Sequence, residues 1–503
     1  MFFLLIVVIL TTYALFQYQL MRKLPPGPIP FLFFGNFPHL FYYCVRKGGF
    51  AKALREIQKS YGDVHTLWLG PMPFVNLCTF EKAKELMVNQ GHTQLGRFTA
   101  PFIRLNQTDE FGKTWGIISS TDETWLEHRR FALHTLRNFG MGRNLMEGRI
   151  IEELDYQLNE LDQRMVDGKA EILVAKLTDL IVGSVINRLL FGYRFDPPRR
   201  EYFFKIKTRM ERMINNTTPL DFMIRDWWKY VPLLSWRLNT IHEAIDPIIE
   251  YVRENIKRRK EELKTGEYVL GEEPEDFIDA YLIEQKKRGT DLGEMTAQGL
   301  LVDLHDLWLA GQETTSVTLQ WALHLLLRHP TVMKKCKEEI LRETSGNRNL
   351  SLNDRQTTPY FVATCTEVQR HASILNFNLW RTTNGPSSID GYDLPIGTLT
   401  TAQISLILSD PETFKQTQEF DPSRYLNENG KSLFEKTIPF GIGKRSCPGE
   451  SLAKAEIYLI LGNILTRYNI TPSETNPPKG IASLLSVGHR PNRFSAVFEK
   501  IEI

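Results

Sequence analysis

Two kinds of hydrophobic run organise this chain. Residues 2–20, FFLLIVVILTTYALFQYQL, are apolar at first and thin out toward Gln17 and Gln19. With its flanks the run reaches the ~20 residues that a helix needs to cross a bilayer. From about residue 120 to about 345, apolar positions instead recur every three or four residues, the mark of helices that bury one face. EILVAKLTDLIVGSVINRLLF is one such stretch, and residues 301–327, LVDLHDLWLAGQETTSVTLQWALHLLL, predict a long, mostly apolar helix. Residues 50–95 mix a short helix with VHTLWL and FVNLC, which predicts a small β-rich lobe. The Asp390-Gly391 turn and the following DLPIGTLTTAQISLI predict strands across 385–408. A last helix is expected from Ser451 to Tyr468, followed by a strand-rich tail. The fold class is mainly α with minor β.

The N-terminal run has no positive residues before it and no small-residue cleavage site after it, so it reads as an uncleaved anchor over residues 1–23. Arg22 and Lys23 follow it, and by the positive-inside rule they keep the body on the cytoplasmic side. Residues 24–30, LPPGPIP, cannot be helical, because proline lacks an N–H and restricts its predecessor; they predict a stiff hinge. The remaining 31–503 reads as one large domain, with no linker composition and no repeat inside it.

Charge and cysteine content narrow the chemistry. Lys plus Arg (61) nearly balances Asp plus Glu (59), which gives no electrostatic case for nucleic acid. The basic run Lys257 to Lys260 is followed by Glu261 and Glu262, a solvated helix face rather than a targeting signal. The five cysteines, Cys44, Cys78, Cys336, Cys365 and Cys447, are odd in number and widely spaced, which argues against a disulfide framework or a zinc site.

The segment FGIGKRSCPGE, Phe440 to Glu450, is the most informative in the chain. Gly441 and Gly443 let the backbone fold close under the Cys447 sulfur and aim N–H groups at it. Such bonds and nearby positive charge lower a thiol pKa and hold a metal ligand deprotonated. A helix starting near Pro448 adds its N-terminal dipole. Phe440, Gly443, Arg445, Cys447 and Gly449 together match F-x-x-G-x-R-x-C-x-G, a coincidence on the order of one in ten thousand at average residue usage. In these residues the chain resembles the cytochrome P-450 superfamily over nearly its whole length, and TLRNFGMG at 135–142 resembles its microsomal, xenobiotic-oxidising members. The resemblance implies a helix-rich triangular domain with a small β-rich lobe behind a transmembrane helix. It also implies an iron protoporphyrin IX (haem b) with Cys447 as its thiolate ligand.

In the long helix, AGQETT (Ala310 to Thr315) breaks the apolar pattern. Gly311 weakens the helix where threonines can bond back to carbonyls, which predicts a local bulge. Ala310 lies one turn before Thr314 and leaves room for a diatomic ligand, while Glu313 and Thr314 offer a carboxylate and a hydroxyl for proton delivery. The segment resembles the family's A-G-x-[DE]-T-[TS] motif, which implies oxygen activation at Thr314 and a proton relay through Glu313.

Other family positions are arginines. Glu367 and Arg370 in E-x-x-R, with Arg424 in FDPSRY, resemble the structural triad of the proximal side. Trp125 and Arg129 match W-x-x-x-R, and with Arg97, Arg381 and Arg445 they resemble the contacts to the haem propionates. None of the eleven histidines sits in a comparable glycine-framed loop, so a histidine-ligated haem is not favoured. The resemblance implies a monooxygenase that inserts one oxygen atom of O2 into a lipophilic xenobiotic, fatty acid or steroid. NADPH electrons would arrive from a separate NADPH-cytochrome P-450 reductase, with cytochrome b5 admissible as a second donor, at the endoplasmic reticulum membrane. Lys444 and Arg137 are candidates for docking the reductase. The pocket is expected to draw on residues 97–117, 200–235, 301–314, 374–380 and Leu484 to Ser486. Leu309, and the absence of proline from ILNFNLW before Arg381, imply an altered, narrower cavity. The rival functions are an oxygen-independent haem-thiolate isomerase or dehydratase, against which Glu313 and Thr314 argue, and a non-catalytic haem-binding protein.

Overall fold

Helix α1 (Phe2–Met21) has Gln17 as its one buried residue and is the one described helix long and apolar enough to cross a membrane. The computed structural model describes residues 2–98, 107–140, 144–216, 221, 224, 226–480 and 488–501. Leu484 to Ser486, expected at the pocket, lie outside these residues, as do parts of the 97–117 and 200–235 stretches and the end of TLRNFGMG.

The proline-rich segment after α1, expected to be a stiff hinge, is stitched to the body by hydrogen bonds. The Pro26 carbonyl accepts from the Thr66 amide at 2.8 Å, and the Pro25 carbonyl accepts from its hydroxyl at 2.8 Å. Only glycine fits at position 27, where a Cβ would stand 1.9 Å from the Thr66 carbonyl oxygen.

Helices α2 (Phe37–Lys47) and α3 (Phe50–Tyr61) lead into β1 (Val64–Leu69), β2 (Met72–Leu77) and the short α4 (Phe80–Lys84). After β3 (Gly96–Arg97) come α5 (Asp122–Asn138), α6 (Asn144–Gln163), β4 (Lys169–Leu173), α7 (Val174–Phe191), α8 (Pro197–Asn216), α9 (Pro232–Thr265), α10 (Phe277–Arg288), α11 (Ala297–Arg328), α12 (Pro330–Thr344) and α13 (Pro359–Ala372). The chain closes with β5 (Arg381–Thr382), β6 (Ser387–Ile389), β7 (Tyr392–Leu394), β8 (Leu399–Ala402), α14 (Ile404–Leu408), α15 (Gly430–Lys436), α16 (Glu450–Arg467), β9 (Tyr468–Pro472) and β10 (Ser495–Lys500). The small lobe is a five-stranded sheet in the order β1-β2-β8-β5-β3, beside a three-stranded β4-β10-β9 sheet and the β6-β7 hairpin.

Two expectations change. Glu171 to Leu173, which continue the helical period, belong to β4 and pair with β10, so helix α7 begins only at Val174. Ile404 to Leu408, expected as strand, form the fully buried α14. Both segments are short apolar runs, whose periodicity does not separate strand from helix.

α11 runs through the middle of the main core and is buried on nearly every side, as its all-round apolar sequence demands. It is unbroken α-helix through 310–315, so the expected bulge is absent. The back-bonding is present: the Thr314 hydroxyl donates to the Ala310 carbonyl at 2.7 Å, and Thr318 donates to the Thr314 carbonyl at 2.8 Å. Gly311 serves packing, since a Cβ there would meet Ile186 Cδ1 of α7 at 2.7 Å.

Candidate functional site

Cys447 is the one exposed cysteine; the other four are buried. Surrounding protein nevertheless partly desolvates its thiol. Its amide donates to the Phe440 carbonyl at 3.0 Å, which closes the loop. Gly441 (φ 76°) and Gly443 (φ 77°) take left-handed conformations, and a Cβ on Gly443 would lie 2.0 Å from the Met87 carbonyl oxygen. These glycines shape the turn, but the N–H groups that favour the thiolate are those of Gly449 and Glu450. Helix α16 begins at Glu450 with Gly449 as its cap, two residues later than expected from Pro448. Burial is the largest influence on Cys447 and raises its pKa; the Gly449 and Glu450 amides and Arg129 pull it back. The expectation of a net lowering therefore does not hold for the protein groups alone.

Four arginines crowd beside this loop. Arg97 on β3 and Arg381 on β5 stand directly opposite each other in an antiparallel pair, an arrangement of like charges that destabilises a sheet. The Arg445 guanidinium lies 3.9 Å from the Trp125 ring centre and donates to the carbonyls of Leu95 (3.0 and 2.6 Å) and Ser120 (2.8 Å). Arg129, one turn from Trp125 on α5, donates to the Ser446 carbonyl at 2.8 Å. Arg97 reaches the carbonyls of Ile118 and Leu379, both at 2.9 Å, and Arg381 that of Ile442 at 2.5 Å. Burial first, and then the other three arginines, push Arg445 down to about 7. Burial and neighbouring arginines likewise push Arg381 down to about 9 and Arg97 to about 10. Guanidinium groups do not give up their protons readily, so such a cluster calls for an anion between its members. Trp125 Nε1, Arg381 Nε and Arg445 Nη1 are buried donors with no partner among the described residues. A group bearing two carboxylates and seated beside a thiol answers both the charge and the orphaned donors; haem b is such a group.

On α11, Leu307, Ala310, Gly311 and Thr314 are open to varying degrees amid buried neighbours, at the spacing of a single helix face. Glu313 is buried, in ion pairs with Lys207 of α8 and with Arg490. Lys207 also donates to Gln312 at 2.9 Å and pairs with Asp179 at 3.1 Å. The sequence held a signal for Lys207: it interrupts the buried stripe Phe203, Ile206, Met210 at a position that should be apolar. Phe440 packs under Lys454, whose ammonium is 5.6 Å from its ring. Arg370 makes a two-pronged pair with Glu367 at 2.7 and 2.9 Å, and Arg424 joins at 3.1 Å, all three buried.

A family model described as cytochrome P450 matches residues 25–498. The chain belongs to the cytochrome P450 family. Probable cytochrome P450 cyp-35D1 of Caenorhabditis elegans is 37% identical over 482 residues, covering 94% of this chain and 95% of that protein. Cytochrome P450 2C2 of Oryctolagus cuniculus is 33% identical, covering 91% and 90% respectively. Cytochrome P450 2G1 of Rattus norvegicus is 32% identical, covering 89% and 87%. This P450 is accordingly a monooxygenase of a family whose cofactor is a thiolate-ligated haem b.

Proposed function

We propose that Cys447 is the thiolate ligand of the haem, that Arg97, Trp125, Arg129, Arg381 and Arg445 hold its propionates, and that Phe440 and Ala310 bound its two faces. The observation that carries this reading is the crowd of four mutually repelling guanidiniums beside the one exposed cysteine. A haem held by these residues would supply oxygen activation, which a thiolate ligand from Cys447 would favour. The protein supplies the rest. Thr314 presents its hydroxyl one turn beyond Ala310 and delivers protons on the open face of α11. Glu313 serves as the relay when its carboxylate leaves the cations that hold it. Glu367, Arg370 and Arg424 lock the structure behind the cysteine loop.

The reaction is insertion of one oxygen atom into a lipophilic small molecule, with NADPH electrons delivered by a reductase. Apolar Leu309, Leu375 and Leu379, all at least partly open to solvent, support an apolar substrate. Exposed Arg137 and Lys444 are the docking cations for the reductase; charge reversal at both should weaken reductase affinity. The α1 helix anchors the protein in the endoplasmic reticulum membrane with its body in the cytoplasm, which protease protection of microsomes tests.

The decisive experiment is a reduced carbon-monoxide difference spectrum. The wild type should show the thiolate-haem band and Cys447→Ala should lose it, while Cys447→His should retain haem with a nitrogen-ligated spectrum. A wild-type spectrum of nitrogen ligation, or one unchanged in Cys447→Ala, overturns the assignment.

A further inference from the structure

His128 lies on α5 between Trp125 and Arg129, and neither its side chain nor that of Asp303 on α11 has any exposure (0%/0%). Its Nδ1 is 2.6 Å from Asp303 Oδ2, and its Nε2 is 3.0 Å from the Glu294 carbonyl oxygen. Gly299, one turn before Asp303, makes room for the ring: a Cβ there would stand 2.6 Å from His128 Cε1 and 2.7 Å from the Tyr281 hydroxyl. Trp115 meets the ring edge-on at 6.0 Å, and Tyr281 lies at 6.5 Å. Along α11, Asp303 precedes Ala310 by about two turns and therefore shares its side of the helix.

Donor accounting fixes the proton content. The Glu294 carbonyl only accepts, so Nε2 must carry a hydrogen. A neutral imidazole then turns the lone pair of Nδ1 toward a carboxylate 2.6 Å away, which is repulsive. The contact is attractive only while one proton stays between Nδ1 and Oδ2. We propose that His128 and Asp303 form a proton-holding brace that positions α5, and through it Trp125 and Arg129, against α11 for retention of the haem. The inference rests on the haem assignment above, and it makes His128 a positioning residue.

The other titratable and charged groups around the ring leave the brace proton to this pair. The Glu294 carboxylate is taken by Lys113 at 2.6 Å and by the Thr124 hydroxyl at 2.8 Å. The Tyr281 hydroxyl donates to the Thr296 carbonyl at 3.0 Å. Asp306 accepts from Gln107 at 2.7 Å and from the Ile118 amide at 2.9 Å. Glu127 and Arg288 pair with each other. Burial opposes a charged imidazole, but the Asp303 bond and charge outweigh it and raise the His128 pKa. A raised pKa on a basic group places the stabilisation below the ordinary histidine value and removes it as pH climbs through the raised one.

The test follows haem transfer from the full-length holoprotein in detergent to apomyoglobin, by absorbance, between about pH 6 and about pH 10. The wild-type transfer rate should rise about tenfold over this span, as the brace proton is lost when pH climbs through the raised His128 value. Asp303→Asn should give a slow, flat profile, because a carboxamide N–H can donate to a neutral Nδ1 while Nε2 still serves Glu294. His128→Leu should release haem at least about tenfold faster than wild type at the low end of the span, since it removes the brace and leaves the buried Asp303 carboxyl without its hydrogen-bond partner. A flat wild-type profile overturns the proposal. So does an Asp303→Asn profile that climbs like the wild type, an Asp303→Asn protein that sheds haem as fast as His128→Leu, or a His128→Leu protein indistinguishable from wild type. A wild-type protein that purifies without haem strikes the haem assignment instead.

Discussion

Arg445 shows how much one side chain can be asked to do. It stacks on Trp125, clasps two backbone carbonyls and still leaves Nη1 free for an anion. A lysine keeps the charge but loses the planar fork, so Arg445→Lys should lower the haem content of the purified protein, read as Soret absorbance per polypeptide, without altering far-UV circular dichroism. Glu367 is a different case. Its carboxylate neutralises two buried arginines, and removing one partner of a buried pair costs about 3–5 kcal/mol. Glu367→Ala should therefore lower the urea midpoint at neutral pH by an amount of that order. Glu456 on α16 is a buried carboxyl whose pKa burial raises to about 8, against an opposing hydrogen bond from Thr315. An acid with a raised folded pKa binds its proton more tightly in the native state, so it costs stability progressively as pH rises from the ordinary carboxylate range to about 8. Glu456→Gln should remove that slope, and its melting temperature should exceed that of the wild type above the folded pKa but not at acidic pH.

Among the elements, the two glycines that look alike in sequence have different reasons to be glycine. Gly443 combines a φ of 77° with a carbonyl oxygen 2.0 Å from where a Cβ would be, so neither its backbone nor its neighbour can yield cheaply. Gly311 has ordinary helical backbone, and its obstacle is a side-chain terminus, Cδ1 of Ile186, rather than backbone. Gly443→Ala should lose haem and at least about 1–2 kcal/mol of stability from the left-handed conformation alone. Gly311→Ala should stay within about 1 kcal/mol of wild type in chemical denaturation, because the gain in helix propensity offsets the displaced methyl. The same distinction explains the missing bulge in α11: the threonines bond back to carbonyls as expected, yet packing against α7 keeps the helix regular.

For the whole molecule, helix α1 is little involved in the packing of the rest of the chain, with Gln17 its one buried residue. α1 touches the body through few residues, among them Tyr13, whose ring stacks on Phe33 at 5.2 Å. Deleting residues 2–21 should leave the carbon-monoxide spectrum of the detergent-purified protein unchanged. Much of this architecture was legible in the chain. The unbroken apolar run determined α1, the three-to-four-residue period determined the helices, and the glycine-framed FGIGKRSCPGE picked Cys447 out of five cysteines, because each is a local property of consecutive residues. What no local pattern contains is which distant segments meet. Tertiary packing alone decided that Glu171 to Leu173 become strand, since β10 supplies their hydrogen bonds from the far end of the chain. It decided that Glu313 is held by Lys207 and Arg490, and that His128, in sequence one more polar residue beside Arg129, faces Asp303 across two helices. Hydrophobic period reports which face of an element is buried; the partner of a buried charge is settled by charge pairing in three dimensions, where an unpaired group costs too much to persist.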